Sequence, residues 1–466
     1  MKNKPVKIVA TIGPASHSKK MIEDLAKEGV DIFRINLSHA EPDEVVERCQ
    51  WIREAEKAVK RPLTIMGDLP GPKIRIKDMQ PETILKKGQR FVISKKITVG
   101  NQYGCGINYP SIVDVLEVGA AVFIDDGTIK LVVKKKLKDA VEAQVIVGGL
   151  LKPKKGFSAE GITLSSTGIS EKDKAGIELM IKHNTDALAI SFVQTKQDIL
   201  EVRKLLPKKT KIMLIAKIET ENGVKNAEDI LEAADGLMIA RGDLGLAVPI
   251  AQVPHIQKEL IDMCVKHAKP VITATQMLES MISKPIPTRA EVGDVANAIL
   301  DKTDAVMLSA ETAIGKFPVE TVQMMVKIIE EAVKRIESYE YEEQKTIPNA
   351  ISDTVGSVAQ QVNARLIIAF TQSGITARRI VRHRHPQAVI AVSPDPTIIR
   401  GLNFVWGVHP HLIKNTKGFD DMRKQAQDLA KNNKIVPLAK DETYVIAAGM
   451  PFGEAGSTNM ILVETV

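Results

Sequence analysis

KIMLIAKIE, residues 211–219, is an apolar run that turns polar at its carboxyl end, and GLMIARGDL, residues 236–244, repeats the design after one intervening helical stretch. A short, continuous apolar run with polar ends predicts a strand covered on both faces, as in a parallel sheet flanked by helices. The design recurs upstream in KIVATIGP (7–14), DIFRINLSH (31–39), PLTIMGDL (62–69) and ALAISFV (187–193), and downstream in PVITATQML (270–278) and AVMLSAET (305–312). Helix signals lie between the runs; Ser170, three residues before Asp173, predicts a capped start ahead of AGIELMI. Eight strands with crossover helices predict an α/β fold built on a closed (β/α)8 barrel. Barrels keep their chemistry where the strands end, and these runs end in RINLSH, GDL, SF, KIE, RGD, TATQ and SAET.

Between the third and fourth runs the rhythm stops. FVIS, AVFIDD and VEAQVIV are short alternating segments broken by glycines and by the turn pair Asp126-Gly127. They predict a small β domain over residues 70–165, inserted at the barrel rim, where it can close over substrate. The barrel is thus expected in two parts, 1–69 and 166–344. Helical periodicity in PVETVQMMVKIIEEAVKRIE (318–337) and the charged stretch YEYEEQK (339–345) mark a boundary. Beyond it RLIIAFT (365–371), AVIAVSP (388–394), TYVIAAG (443–449) and MILVET (460–465) alternate with helical stretches, predicting a separate α/β domain over 345–466.

A chain of 466 residues, 44% hydrophobic, can bury several cores. Its net charge of +7 is spread among Asp and Glu, and aromatic residues are 4%, so no basic-aromatic surface for nucleic acid is expected. Small anionic substrates account for the surplus. No apolar run is long enough to span a bilayer and no N-terminal pattern reads as a signal peptide, so the expectation is a cytoplasmic chain without a membrane partner. Cys49, Cys105 and Cys264 lack paired spacing and read as free thiols. G-x-x-x-x-G-K-[ST], G-x-G-x-x-G after a strand and H-E-x-x-H are all missing, which removes Walker, Rossmann and zincin sites.

Glu219 and Asp243 close the fifth and sixth runs, and adjacent barrel strands bring such carboxylates together. Two protein oxygens with room for water and phosphate suit Mg2+ or Mn2+; two rim acids in salt bridges are the plainer alternative. Lys217 lies two residues before Glu219 on the same strand face, where its ammonium can balance a phosphoryl group or pair with Asp243. Arg34, Asn36 and Ser38 alternate along one strand and should face one way. Arg34 and Arg75 suit bidentate phosphate contacts, although a polar layer filling the barrel is the alternative. Thr273 and Thr275 alternate onto one face beside Gln276, and LKPKKG (151–156) is a basic turn on the insertion. In RLIIAFTQSGITARRI (365–380) the amides around Ser373, Gly374 and Thr376 suit a phosphate, or simply start a helix.

KIVATIGPAS, FRINLSH, GDLPGPKIR, KKG, SFV, KIETENGV, ARGDLG, TATQMLESM, PTRAEVGDVANAILD and MLSAET, in this order over nearly the whole chain, resemble pyruvate kinase. The resemblance implies a barrel, an inserted lid and a regulatory C-terminal domain, usually assembled as a homotetramer. It implies transfer of the phosphoryl group of phosphoenolpyruvate to ADP, giving pyruvate and ATP. By position, Arg34, Arg75 and Lys217 resemble the phosphoryl-binding residues, and Glu219 and Asp243 the divalent-metal ligands. Gly242 and Thr275 resemble groups around the substrate carboxylate, with Thr275 feeding the proton to the enolate. Asn36, His39, Arg75 and Lys155 fall on the nucleotide side, and Asn36, Ser38, Asp68 and Leu69 at the monovalent-cation site. There the potassium-dependent pattern has Thr and Glu where this chain has Leu69 and Lys73, so no K+ requirement is expected. Thr371, Ser373, Gly374 and Thr376 resemble the loop for a small phosphorylated effector, and Glu454, in place of a basic residue, favours a monophosphate such as AMP or a sugar phosphate over a bisphosphate. A metal-dependent aldolase acting on pyruvate or phosphoenolpyruvate is the rival, and a lid carrying Lys155 argues against it.

Overall fold

In the computed structural model, residues 4–72, 74–125, 127–159, 169–336, 346–451 and 456–466 are described. Lys73, Asp126 and Glu454 lie outside them.

The eight apolar runs form β1 (Lys7–Ile12), β2 (Ile32–Asn36), β3 (Thr64–Asp68), β4 (Ala187–Ile190), β5 (Met213–Ile218), β6 (Gly236–Ala240), β7 (Val271–Ala274) and β8 (Ala305–Leu308). All pair in parallel, β8 closing on β1, in one barrel. Alternation along each strand sorts its side chains into two apolar bodies. Ile8, Ala10, Phe33, Ile35 and Ile65 pack outward against the helices. Val9, Ile32, Met66, Ala189, Ile215, Met238, Ile272 and Met307 fill the lumen. Continuous apolar runs follow because both faces are dry.

The lumen receives one residue from the C-terminal part of the chain. Phe404, fully buried, joins the inner cluster. Its neighbour Asn403 donates to the carbonyl of Pro62 at 3.0 Å and to the hydroxyl of Thr64, the first residue of β3, at 3.1 Å. Lys7 at the start of β1 donates to the carbonyl of Val408 at 2.5 Å. The barrel is therefore plugged at the amino ends of its strands, and its opposite mouth is left for polar groups.

Ser170 caps the helix Glu171–Lys182 as its spacing with Asp173 predicts, its hydroxyl accepting from the Asp173 amide at 3.1 Å. Asp173 also accepts from the amide of Gly71 at 3.1 Å, just past β3. Gly71 has φ +62° and a Cβ there would come within 2.9 Å of Ser191, so only glycine fits this exit from the barrel.

The insertion is a six-stranded sheet, ordered Phe157–Ala159, Ala121–Ile124, Ile129–Lys136, Ala140–Val147, Arg90–Ser94 and Gly104–Gly106, with two short ladders beside it. Phe91, Ile93, Val122, Leu131 and Val145 give it a core of its own. Beyond the barrel, β9 (Leu366–Phe370), β10 (Ala388–Ser393), β11 (Val408–Leu412), β12 (Thr443–Gly449) and β13 (Thr458–Thr465) make a sheet of order β11-β10-β9-β12-β13, with β13 antiparallel. The sequence pattern foresees four of these. β11, VHPHL, lacks an apolar run because it is an edge strand whose outer residues are exposed, a position that also tolerates Pro410. No described helix is long and apolar enough to cross a membrane.

Candidate active site

Above the apolar plug, the next inward side chains are polar. Asp68, the last residue of β3, is 1% exposed and uses both carboxylate oxygens. The Arg34 Nε on β2 donates to Oδ2 at 2.6 Å, and the Lys217 ammonium on β5 donates to Oδ1 at 3.2 Å. Arg34 also donates to Thr11 Oγ1 of β1 at 2.9 Å. Lys217 reaches Ser191 Oγ at 2.7 Å and Glu219 Oε1 at 2.9 Å. Glu219 Oε2 accepts from the Phe192 amide at 2.6 Å. Five neighbouring strands thus converge on two cations and two carboxylates, an arrangement that only barrel closure can assemble.

Charges taken out of water survive only when paired and hydrogen-bonded. Burial works against the ionised Asp68, but Lys217 and then Arg34 outweigh it and hold its carboxyl below the usual range. Burial likewise opposes the Lys217 ammonium, while Asp68 and Glu219 outweigh it and raise its pKa. Lys217 therefore stays charged. Glu219 goes the other way: burial, helped by the Asp243 charge and opposed by Lys217, raises its carboxyl.

Three expectations about strand ends need correction. β2 stops at Asn36, and Ser38 sits in the following turn with its amide donating to Asn36 Oδ1 at 3.0 Å, so it does not continue the face of Arg34 and Asn36. β6 stops at Ala240, and Asp243 lies in the first turn of the helix Arg241–Ala247. The chain passes from Ala240 directly into that helix, with Gly242 in its first turn. Thr273 and Thr275 do not share a face either. Thr273 faces outward and bonds Thr303 Oγ1 at 3.0 Å, while Thr275 lies past β7 in the left-handed region at φ +68°, followed by Gln276 at +55°. Its hydroxyl accepts from the Gly242 amide at 2.8 Å and donates to the carbonyl of Ala274 at 2.7 Å.

A cleft of about 320 Å3 separates this mouth from the insertion, lined by His39, Arg75, Lys155, Glu219 and Asp243 among others. Lys155 is held by Asp125 at 2.8 Å, and an Arg75 terminal nitrogen donates to the carbonyl of Lys154 at 3.0 Å. Leu69 is buried, its amide on the carbonyl of Ala189. Among the described residues no three His, Cys, Asp or Glu side chains gather into a cation site, so a divalent ion here would rest on Glu219 and Asp243 alone. Those two fit Mg2+ or Mn2+, which keep water and substrate oxygens, and their mutual repulsion is what a divalent ion relieves.

Thr11 is not signalled by motif or run, and Ser191 and Asp68 are signalled only as polar run ends, in SF and GDL, without their partners. Pleat parity offers the signal: Thr11 follows Val9, Asp68 follows Met66, and Ser191 follows Ala189, each two residues above a lumen position. Glu311, accepting from the amides of Leu278 at 3.1 Å and Ser309 at 2.7 Å, is signalled only by the polar run end SAET, which gives it no role of its own. In the C-terminal sheet, Gly374 (φ +83°) precedes the helix Ile375–Val381 and its amide donates to Thr371 Oγ1 at 2.9 Å. Thr376 and Thr458 hydroxyls meet at 2.6 Å, and Ser373 lies on the loop between Thr371 and Thr376.

Residues 3–322 match the family model described as pyruvate kinase, barrel domain, and residues 349–464 match pyruvate kinase, alpha/beta domain. The chain belongs to the pyruvate kinase family. It is 43% identical to a pyruvate kinase of Geobacillus stearothermophilus, with 100% of this chain and 81% of the relative covered. A pyruvate kinase of Methylorubrum extorquens is 38% identical over 100% of this chain and 98% of its own length. One from Staphylococcus aureus is 40% identical over 99% and 80%.

Replacing Asp68 by Asn leaves buried Lys217 and half-buried Arg34 with half their counter-charge, and should cost about 3–5 kcal/mol of stability. Because the folded-state pKa of Asp68 is depressed, its contribution is present above its unfolded value, about pH 4, and is lost as pH falls further. Urea unfolding of Asp68→Asn and wild type should therefore differ by a constant amount through neutral pH and converge in acid.

Proposed function

We propose that this cleft carries out the reaction of the family, transfer of the phosphoryl group of phosphoenolpyruvate to ADP to give pyruvate and ATP. The observation that carries the reading is the pair of cations, buried Lys217 and half-buried Arg34, fixed by one carboxylate at the mouth of the barrel. Arg34 and Arg75 grip the phosphoryl oxygens, and Lys217 balances the charge that builds up as the group moves. Lys155, His39 and Asn36 take the nucleotide, Lys155 from the insertion side of the cleft. A β-phosphate oxygen of ADP forms the new P–O bond as the bond to the enol oxygen breaks, so the leaving electrons stay on the enolate. Thr275 then relays a proton to the methylene carbon, while it and the Gly242 amide face the substrate carboxylate. Glu219 and Asp243 would hold Mg2+ or Mn2+, whose positive charge neutralises phosphate oxygens when bound.

No K+ requirement follows from the same reading. Leu69 sets carbon where a hydroxyl oxygen would be needed, Asn36 Oδ1 is taken by the Ser38 amide, and both Asp68 oxygens are occupied by Arg34 and Lys217. Lys73 adds a fixed ammonium by sequence, outside the described residues. For regulation, Thr371 and Thr376 line a small cleft with Gly449, Ser457 and Thr458, and this supports a small phosphorylated effector such as AMP or a sugar phosphate on the Thr371–Thr376 loop. By resemblance to the family, we take the protein to assemble as a homotetramer. The three cysteines are free and buried, which supports a reducing, cytoplasmic setting.

Pyruvate release from phosphoenolpyruvate and ADP with Mg2+ is the decisive assay. Lys217→Met should lose about 10³-fold or more in kcat, and wild type should turn over equally with and without K+. Turnover that survives in Lys217→Met would sink the phosphoryl-transfer role of that residue, and full dependence on K+ would sink the reading of Leu69 and Lys73. In the same assay AMP should lower the half-saturating phosphoenolpyruvate concentration; no response to AMP or to a sugar phosphate would remove the effector loop. Light scattering should give four times the chain mass.

A further inference from the structure

Thr275 is β-branched, yet it holds a left-handed backbone, and so does the residue after it. Such conformations persist only where surrounding groups over-determine them. One side chain does this here. Arg241, in the first position of the helix that carries Asp243, is 9% exposed, and one of its terminal nitrogens donates to the carbonyl of Thr275 at 2.7 Å and to that of Gln276 at 3.3 Å. The other donates to Asp294 Oδ1 at 2.7 Å, on the helix Arg289–Leu300 that follows β7. Next to Arg241, the Gly242 amide bonds the Thr275 hydroxyl. The loops after β6 and β7 are thus latched twice, by Arg241 through the Thr275 carbonyl and by Gly242 through its hydroxyl.

We propose that Arg241, oriented by Asp294, is a positioning residue for the reaction: it sets the strained Thr275 backbone, and with it the aim of the Thr275 hydroxyl, and ties that loop to the helix bearing Asp243. The proposal rests on the roles given above to Thr275 and Asp243. Arg241 itself touches no reacting atom. A lysine cannot replace it, because one ammonium does not span the Thr275 carbonyl and the Asp294 carboxylate as a planar fork does. Asp294 is 40% exposed, so its variants test the clamp without opening the core.

The test measures kcat, KM for ADP, the Mg2+ concentration for half-maximal rate, and, with pyruvate supplied in place of phosphoenolpyruvate and ADP, the exchange of its methyl protons for solvent deuterium, followed by proton NMR. That exchange reads proton transfer at carbon apart from phosphoryl transfer, and a merely structural residue would not move it selectively. Arg241→Met and Arg241→Lys should each lower kcat by about 10²-fold, slow deuterium incorporation in parallel, raise the Mg2+ requirement, and leave KM for ADP within about twofold. Asp294→Ala should cost about tenfold in kcat, and Asp294→Asn should recover most of it, because its amide oxygen still accepts from the guanidinium. If Arg241→Met and Asp294→Ala melt like wild type and keep kcat and exchange within about threefold, the clamp is wrong. If Arg241→Met does not fold, equal activity of Asp294→Ala and wild type overturns the proposal, and a loss rescued in Asp294→Asn supports it. Thr275→Ala separates the two readings: wild-type exchange in that variant would remove Thr275 from proton transfer, while the kcat and Mg2+ response of Arg241→Met still decide the clamp.

Discussion

Asp68 is the carboxylate on which the mouth of the barrel depends. It shares its two oxygens between a guanidinium and an ammonium that come from strands on either side. Neither cation could sit at this depth unpaired, and a single carboxylate between them fixes the separation of Arg34 and Lys217 along with their charge. The geometry that would receive a phosphoryl group is set before any substrate arrives. For the reaction proposed above, this would be pre-organisation in the electrostatic sense, with two cations fixed in place before negative charge develops.

The other end of the barrel shows why that cluster can be placed so high. Phe404 and its neighbours seal the lumen from the amino side, and Asn403, Thr64, Lys7 and Val408 hydrogen-bond across the seam. Arg384 bridges to Asp304 at 3.2 Å, beside the Trp406 amide on the same oxygen at 3.0 Å, and Arg400 grips Glu56 at 2.8 Å. The C-terminal sheet is thereby anchored to the floor on which the lumen residues rest. A movement of the segment Leu402–Phe404 would be felt first in the apolar layer directly beneath Asp68 and Lys217.

Rigid strands and short loops divide the work at the mouth. Arg34, Asp68 and Lys217 ride on strands, where neighbouring register fixes them: Asn36 pairs with Asp68, and Lys217 with Met238. Asp243, Thr275 and Glu311 stand just past strand ends, Asp243 on the helix after β6 and the other two held by a few specific bonds in place of a ladder. Of these, Thr275 carries backbone strain, in the left-handed region at φ +68°.

The barrel was legible from sequence because a short, continuous apolar run with a polar end suits a strand dry on both faces and little else, and every one of the eight became a strand. Arg34, Lys217 and Glu219 could be named from the polar ends of those runs, and the pleat told which way the first two face. Family resemblance supplied roles that spacing alone left open. What the chain order could not give was which groups meet. Asp68 reads as an acid at the end of GDL until closure sets it between β2 and β5. Asp243 reads as a strand residue until the turn after Ala240 begins a helix, and the edge strand VHPHL has no pattern because half of it faces water. Period and polarity are local properties of a strand, so the sequence determined the strands and their inward faces. Pairing of buried charges is a property of closure, acting between residues up to 149 apart in the chain, and only the tertiary structure decided it.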